Sequence, residues 1–310
     1  MNPKVAVVLL NINQEDHTKE CILSLQKLSY NPVEIILIDN NSTDSSGERL
    51  HEIFPTIIFQ RNTENLGFAG GNNIGIKIAL DRGADYIMLL NNDTIVEINL
   101  IQPLINQAKT DLKTGFQSCK IYLYTYPNQL WYAGAAFNTH KALGRHRGIL
   151  EEDNNRYDAI EETDMATGCM MFASRSVIEE IGLLDESLFI YFEDADWCLR
   201  ARAHGYHNIY NPSVKIWHKV SVTNKIDSPF YLYFTMRNKI IFLRKHSEPK
   251  KWIFHIPYFF YFYARHIIRM SLKWHSYVGT KAVIVGIIDG LRNYTGDGGK
   301  GRLYTTVIKK

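Results

Sequence analysis

Cysteine is scarce and nowhere paired: Cys21, Cys119, Cys169 and Cys198 are scattered through 310 residues with no CxxC spacing. That argues against a disulfide framework and fits reduced thiols in a cytosolic setting. No stretch holds the roughly 20 clean apolar residues that a spanning helix needs. The opening MNPKVAVVLLNINQ lacks a long apolar region and a small-residue cleavage site, so it reads as a first β-strand rather than a signal peptide. Internal repeats and low-complexity tracts are absent as well. The glycine-rich GFAGGNNIG does not match the dinucleotide GxGxxG pattern. GDGGKG at 296–301 puts Gly301 where a phosphate loop needs Ser or Thr, and it reads as a turn.

What the chain does have is a strong internal asymmetry. Residues 219–310 carry 17 Lys and Arg against 4 Asp and Glu, a balance of +13, while the first 218 balance to −10. The basic end also holds 17 of the 38 aromatic residues. Such a distribution points to an acidic partner surface, and no recognisable nucleic-acid module accompanies it. Residues 252–270, WIFHIPYFFYFYARHIIRM, are aromatic-rich but interrupted by His255, Pro257, Arg265, His266 and Arg269. An interfacial helix on an anionic membrane fits this stretch. The alternative is an ordinary core helix of a small C-terminal domain.

The first hundred residues alternate between short apolar runs and helical periodicity. Strands are predicted at 5–10, 33–38, 57–60 and 86–90, with helices at 14–28 and 69–80. Residues 110–165 read as later strands and loops, and 166–184 as a buried strand followed by a helix. This alternation predicts an α/β fold with a doubly wound, mostly parallel sheet. Ligands in such sheets bind at the carboxyl ends of the strands. Those ends are polar here: Asn11 and Asn13, then Asp39 and Asn40, then Asn91, Asn92 and Asp93.

The run FIYFEDADWCL, 189–199, sets Glu193, Asp194 and Asp196 among aromatic and aliphatic residues. A carboxylate in apolar surroundings costs several kcal/mol unless it is paired, protonated or ligand-bound. One reading is a poised proton acceptor. The other is a helix N-terminus whose acids answer the dipole and pair with Arg200 and Arg202.

Several segments in order resemble the family 2 glycosyltransferases of GT-A fold, particularly bacterial rhamnosyltransferase-like members. They are VAVVLLNIN, IILIDNNSTDSS, NTENLGFAGGNNIGI with YIMLLNNDT, and TGCMMFASRSVIEEIGLLDESLFIYFEDADWCLRARAHGY, with WHKVSVT and YFTMRNKIIFLRKH after them. The resemblance spans roughly residues 4–246. It implies a catalytic domain over 1–225 and a basic helical region over 226–310. It implies that Asn11, Asn13 and Asp39 line the nucleotide of an activated sugar, with Asn65, Gly67 and Gly70 shaping the loop beside it. Asn91-Asn92-Asp93 stands in the place of the family's DxD motif, with Asn91 replacing the first acid. Asp93 and His218 would then hold Mn²⁺ or Mg²⁺, Asp194 would be the catalytic base, and Asp196 would help position the acceptor.

The activity so implied is inverting transfer of a sugar, with rhamnose one option. It would pass from a dTDP- or UDP-sugar to a lipid-linked glycan, on the cytoplasmic face of a bacterial inner membrane. The rival reading, prompted by the missing first acid, is a non-catalytic sugar-nucleotide-binding subunit of a polysaccharide assembly complex. A nucleotidyltransferase is a third option on the same sheet.

Overall fold

The computed structural model describes residues 2–220, 228–247, 252–269 and 277–297, with all their side chains except those of 252–256. Part of the 296–301 turn, the side chains of Trp252 and His255, and Met270 therefore lie outside the described residues. The chain divides into two compact units. The first comprises residues 1–136, 144–185 and 194–220; the second comprises 137–143, 186–193 and 221–310. The boundary expected after residue 225 lies outside the described residues; two short upstream segments, 137–143 and 186–193, cluster with the C-terminal unit.

The first unit is built on a sheet whose early strands follow the predicted pattern. β1 (Val5–Asn11), β2 (Val33–Asp39), β3 (Ile58–Arg61) and β4 (Tyr86–Asn91) run parallel in the order β3-β2-β1-β4. β1 is a continuous apolar run because helices cover both faces of such a sheet, and Val5 to Leu9 are wholly buried. α1 (Glu15–Leu25), α2 (Ser46–Ile53) and α3 (Gly67–Asp81) supply the crossovers. α3 lies very close to the sheet at its glycines. A Cβ on Gly75 would sit 2.3 Å from Val8 Cγ1, and one on Gly71 would sit 2.4 Å from Leu10 Cδ1. These two glycines therefore serve helix-on-sheet contact.

The second half of the sheet departs from the expectations in detail. After β5 (Thr94–Val96) comes α4 (Ile101–Thr110), a helix the pattern did not announce because Pro103 sits inside it. β6 (Thr114–Leu123) is a buried ten-residue strand. β7 (Leu130–Tyr132) pairs with it, and β8 (Ala135–Asn138) forms a small ribbon with β9 (Leu143–His146). β10 (Glu161–Glu162) precedes β11 (Met170–Ser174), which runs antiparallel between β4 and β6. α5 (Arg175–Ile181), α6 (Glu193–Ala203) and the long strand β12 (His207–His218) complete the unit. The result is a ten-stranded, mixed but mostly parallel sheet flanked by helices. All four cysteines are free and buried, as the composition suggested.

The second unit contains α7 (Pro229–His246), α8 (Trp252–Ile268) and α9 (Tyr277–Leu291). Ser228 caps α7 by accepting from the Tyr231 N–H, and Pro229 occupies the first turn, where its missing N–H is harmless. α9 lies against α7 through Gly286 and Gly290, whose added Cβ atoms would stand 2.6 Å from Tyr233 O and 2.8 Å from Arg237 O. Leu232, Phe234, Ile240, Val283 and Val285 form the core of this unit. Among the described residues no helix is long and apolar enough to cross a membrane. Phe260, Tyr261 and Ile268 of α8, with Tyr277, Ile284 and Leu291 of α9, are left exposed.

Candidate active site

Sheet register brings the polar strand ends level. Asn11 is the partner of Asp39, and Leu10 is the partner of Asn91. Around the first pair lies a closed hydrogen-bond network. Asn11 Nδ2 donates to Asp39 Oδ1 at 2.9 Å and to Ser46 Oγ at 2.9 Å, while Thr18 Oγ1 donates to Asn11 Oδ1 at 2.9 Å. Asp39 also accepts from the Ser42 N–H at 3.0 Å. Gly47 must be glycine for this carboxylate to sit where it does, because an added Cβ would fall 2.5 Å from Asp39 Cγ. Asn11 and Asp39 are both fully buried. Their polar atoms are engaged with protein, so they shape the floor beneath the strand ends.

Asn13 lies further out, in the left-handed region, and its Oδ1 accepts from the Thr43 N–H at 2.8 Å. Asn40 organises the next loop. Its Nδ2 donates to Asn65 Oδ1 at 2.9 Å and to Gly67 O at 3.0 Å, and its Oδ1 accepts from the Leu66 N–H. Asn65 Oδ1 accepts in turn from the Gly67 N–H at 2.8 Å. Gly67 takes φ +70, a conformation that favours glycine, while Gly70 is buried on the first turn of α3.

The turn after β4 connects to the same network. Asn92 Nδ2 donates to Thr18 Oγ1 at 2.7 Å, so Asn92, Thr18, Asn11 and Asp39 form one chain of contacts. Asp93 Oδ1 lies 3.1 Å from Nε2 of His218, the last residue of β12, and both side chains are nearly buried. The edge of Trp131 covers the His218 ring at 4.6 Å between centroids. His218 Nδ1 is buried with no hydrogen-bond partner. No protein hydrogen bond is made by the Asn91 side chain among the described residues.

Asp93 and His218 fit a divalent cation as two corners of a coordination shell. Adjacent ligands at about 2.1 Å from one ion stand roughly 3 Å apart, close to the spacing seen here. A nearly buried carboxylate oxygen beside an imidazole Nε2 is an oxygen and nitrogen donor pair that suits a divalent cation. No group of three or more His, Cys, Asp or Glu that could hold a metal occurs among the described residues. Further ligands would have to come from substrate and water.

Asp194 stands at the start of α6, where its Oδ1 accepts from its neighbour Ala195 N–H at 2.8 Å and its Oδ2 from the Gly168 N–H at 3.1 Å. Burial raises its carboxyl above the ordinary value despite those hydrogen bonds. The Gly168 segment also ties it to the turn after β4, because the Asn91 N–H donates to Cys169 O at 2.9 Å. Asp196 has a different setting. It is fully buried and paired with Arg200 at 2.9 Å, and Arg200 donates on to Ile181 O and Leu183 O, each at 2.7 Å. That is the helix pairing which the sequence left open as the rival reading, and it points Asp196 into the protein rather than towards an acceptor. Burial pushes the Cys21 thiol up to about 12, so it is no thiolate nucleophile.

Thr18, Ser42, Ser46 and the Gly168 N–H were not foreseen. The IDNNSTDSS run carried a signal for the serines, as a turn dense in hydroxyls after a buried strand. Nothing in sequence marked Gly168.

The family model for "Glycosyl transferase family 2" matches residues 6–182. The low-salt glycan biosynthesis hexosyltransferase Agl10 of Haloferax volcanii is 27% identical over 94% of this chain and 92% of its own. The dTDP-rhamnosyl transferase RfbF of Shigella flexneri is 24% identical over 96% and 99%. Among solved structures, GalNAc-T7 with UDP, GalNAc and Mn²⁺ superposes with a TM-score of 0.62 at 19% identity, covering 76% of this chain and 47% of that one. The fold is that of the GT-A glycosyltransferases, and the chain belongs to glycosyl transferase family 2.

Proposed function

We propose that this protein is an inverting glycosyltransferase that moves a sugar, rhamnose foremost, from a nucleotide diphosphate to a hydroxyl of a lipid-linked glycan. The observation that carries the reading is Asp194. It is a partly buried carboxylate with a raised pKa, held by the Gly168 N–H and joined through Cys169 to the turn bearing Asp93. An acceptor hydroxyl is a poor nucleophile until it loses its proton, and a carboxylate in reach takes that proton as attack begins. The new bond forms from the acceptor oxygen to the anomeric carbon while the bond to the phosphate oxygen breaks. The electron pair leaves with the nucleoside diphosphate, and a single displacement inverts the centre. A divalent cation held by Asp93 and His218 would neutralise the charge developing on that leaving group.

In this reading the loop of Asn65, Gly67 and Gly70 borders the nucleotide, with Asn13 and Asn91 at its edge. Asn11 and Asp39 support that pocket from below. The dTDP-sugar is favoured by the likeness to the dTDP-rhamnosyl transferase of Shigella flexneri. The second reading, a non-catalytic sugar-nucleotide-binding subunit, draws on the two-residue metal corner. Calorimetric titration with dTDP-rhamnose and UDP-sugars, first with Mn²⁺ and then with EDTA, tests the proposal. Binding of one donor that collapses in EDTA is the expected result, and no binding under either condition rejects it.

We further place the protein on the cytoplasmic face of a bacterial inner membrane, held at an anionic surface by its C-terminal unit. The exposed Phe260, Tyr261 and Ile268 of α8, with Arg265 and Arg269 nearby, carry this reading. The protein is expected to sediment with phosphatidylglycerol vesicles and to lose that binding in Phe260→Ser/Tyr261→Ser. A double variant that still sediments fully would remove the membrane from the account.

A further inference from the structure

The second unit contains residues 186–193 as well as the C-terminal helices, and one side chain of α7 holds that early segment. Asn238 is fully buried. Its Nδ2 donates to three main-chain carbonyls, those of Leu188 at 2.7 Å, Ile190 at 2.7 Å and Tyr191 at 2.9 Å. Its Oδ1 accepts from Arg237 Nε at 2.8 Å. The amide orientation is therefore determined, because a flip would set Oδ1 against three carbonyls and Nδ2 against a guanidinium.

Arg237 reinforces the grip. It donates to Leu188 O at 3.1 Å and to Gly296 O at 2.7 Å, and its guanidinium lies over the Phe234 ring at 4.7 Å. Three carbonyls converge on one amide because the backbone between them is curled the wrong way for ordinary residues. Phe189, Tyr191 and Phe192 all have positive φ, at 62°, 69° and 77°. Aromatic residues in that region are strained and persist only where the surroundings over-determine them. Strain of this kind gathers at functional sites. The strained turn ends at Phe192, and Asp194 follows two residues later at the start of α6.

We infer that Asn238 is a positioning residue for the catalytic step: by clamping the 188–191 carbonyls it fixes the backbone from which Asp194 projects. The inference rests on the reading of Asp194 as the base. A misplacement of about 1 Å in a reacting group lowers rate on the order of 10²-fold. Releasing the clamp should thus act on turnover and leave donor binding alone. The MRNK segment of α7 then has a task in catalysis as well as in packing the C-terminal unit.

The test uses the full chain with Asn238→Ala and, as the shape-preserving variant that removes the donors, Asn238→Asp. Hydrogen exchange of the peptide 186–196 is measured first, since it needs no substrate. Faster exchange confined to that peptide is expected, whereas unchanged exchange would overturn the clamp. The release of nucleoside diphosphate from dTDP-rhamnose is measured next, with farnesyl-diphospho-N-acetylglucosamine as acceptor. The expected result is a kcat about 10²-fold lower with the donor KM changed less than about threefold. Asn238→Ala should slow Asp194→Asn no further, because both act on one step.

Wild-type kcat in a variant with faster exchange would overturn the positioning role, and so would global unfolding of both variants. Full activity in Asp194→Asn would instead overturn the base assignment, a separate failure that leaves the exchange result standing. Multiplicative losses in the double variant would make Asn238 a merely structural residue.

Discussion

Asp194→Asn is expected to lower turnover by about 10²–10⁴-fold while donor affinity stays within the error of calorimetry. The side chain keeps its shape and an oxygen that can face the Gly168 N–H, and gives up only the local contact to the neighbouring Ala195 N–H. What it loses is the ability to take a proton. The pH dependence sharpens this expectation. Burial raises the Asp194 carboxyl above 3.8. The base works only when ionised, so kcat/KM should climb with pH along an acid limb whose midpoint lies above that value. The residual rate of Asp194→Asn should lack the limb altogether. A variant that keeps both its turnover and its acid limb would show that another group accepts the proton.

Asp93→Ala carries the second large effect. Loss of groups that merely support a ligand commonly reduces metal affinity 10–100-fold, so loss of one of two protein ligands should cost at least about 100-fold. Donor binding in Mn²⁺ should fall to the level found in EDTA. His218→Ala should move the same way, since its Nε2 stands 3.1 Å from the same carboxylate. The Lys219 N–H donates to Asp93 O through the main chain, so the turn itself should survive either change. Donor binding that remains fully metal-dependent in Asp93→Ala would move the cation elsewhere.

The first half of the sheet was legible because its strands are buried on both faces and its helices keep a clean period. β12 escaped because HNIYNPSVKIWH contains Pro212 and a register irregularity between Asn211 and Lys215, which break the alternation. β6 hides Gln117, Ser118 and Lys120 in its buried run, so its composition looks like a loop. The candidate site was legible as residue types at strand ends. Its connections were not: the Gly168 N–H is a main-chain donor, and no pattern announces positive φ at three aromatic residues. Arg237 and Asn238 fall in the basic helical region expected over 226–310, and nothing in that composition marks them as buried and spent on carbonyls.

The interleaving of the two units bears on how such enzymes can be recombined. Residues 137–143 and 186–193 belong with the C-terminal helices although they lie well upstream of them in the chain. A tail grafted at residue 225 from a relative would meet a foreign 188–191 turn, with no assurance that its own amide fits those carbonyls. Exchange of the C-terminal unit between relatives therefore calls for three segments to move together rather than one. The short inner segments must travel with the helix that holds them.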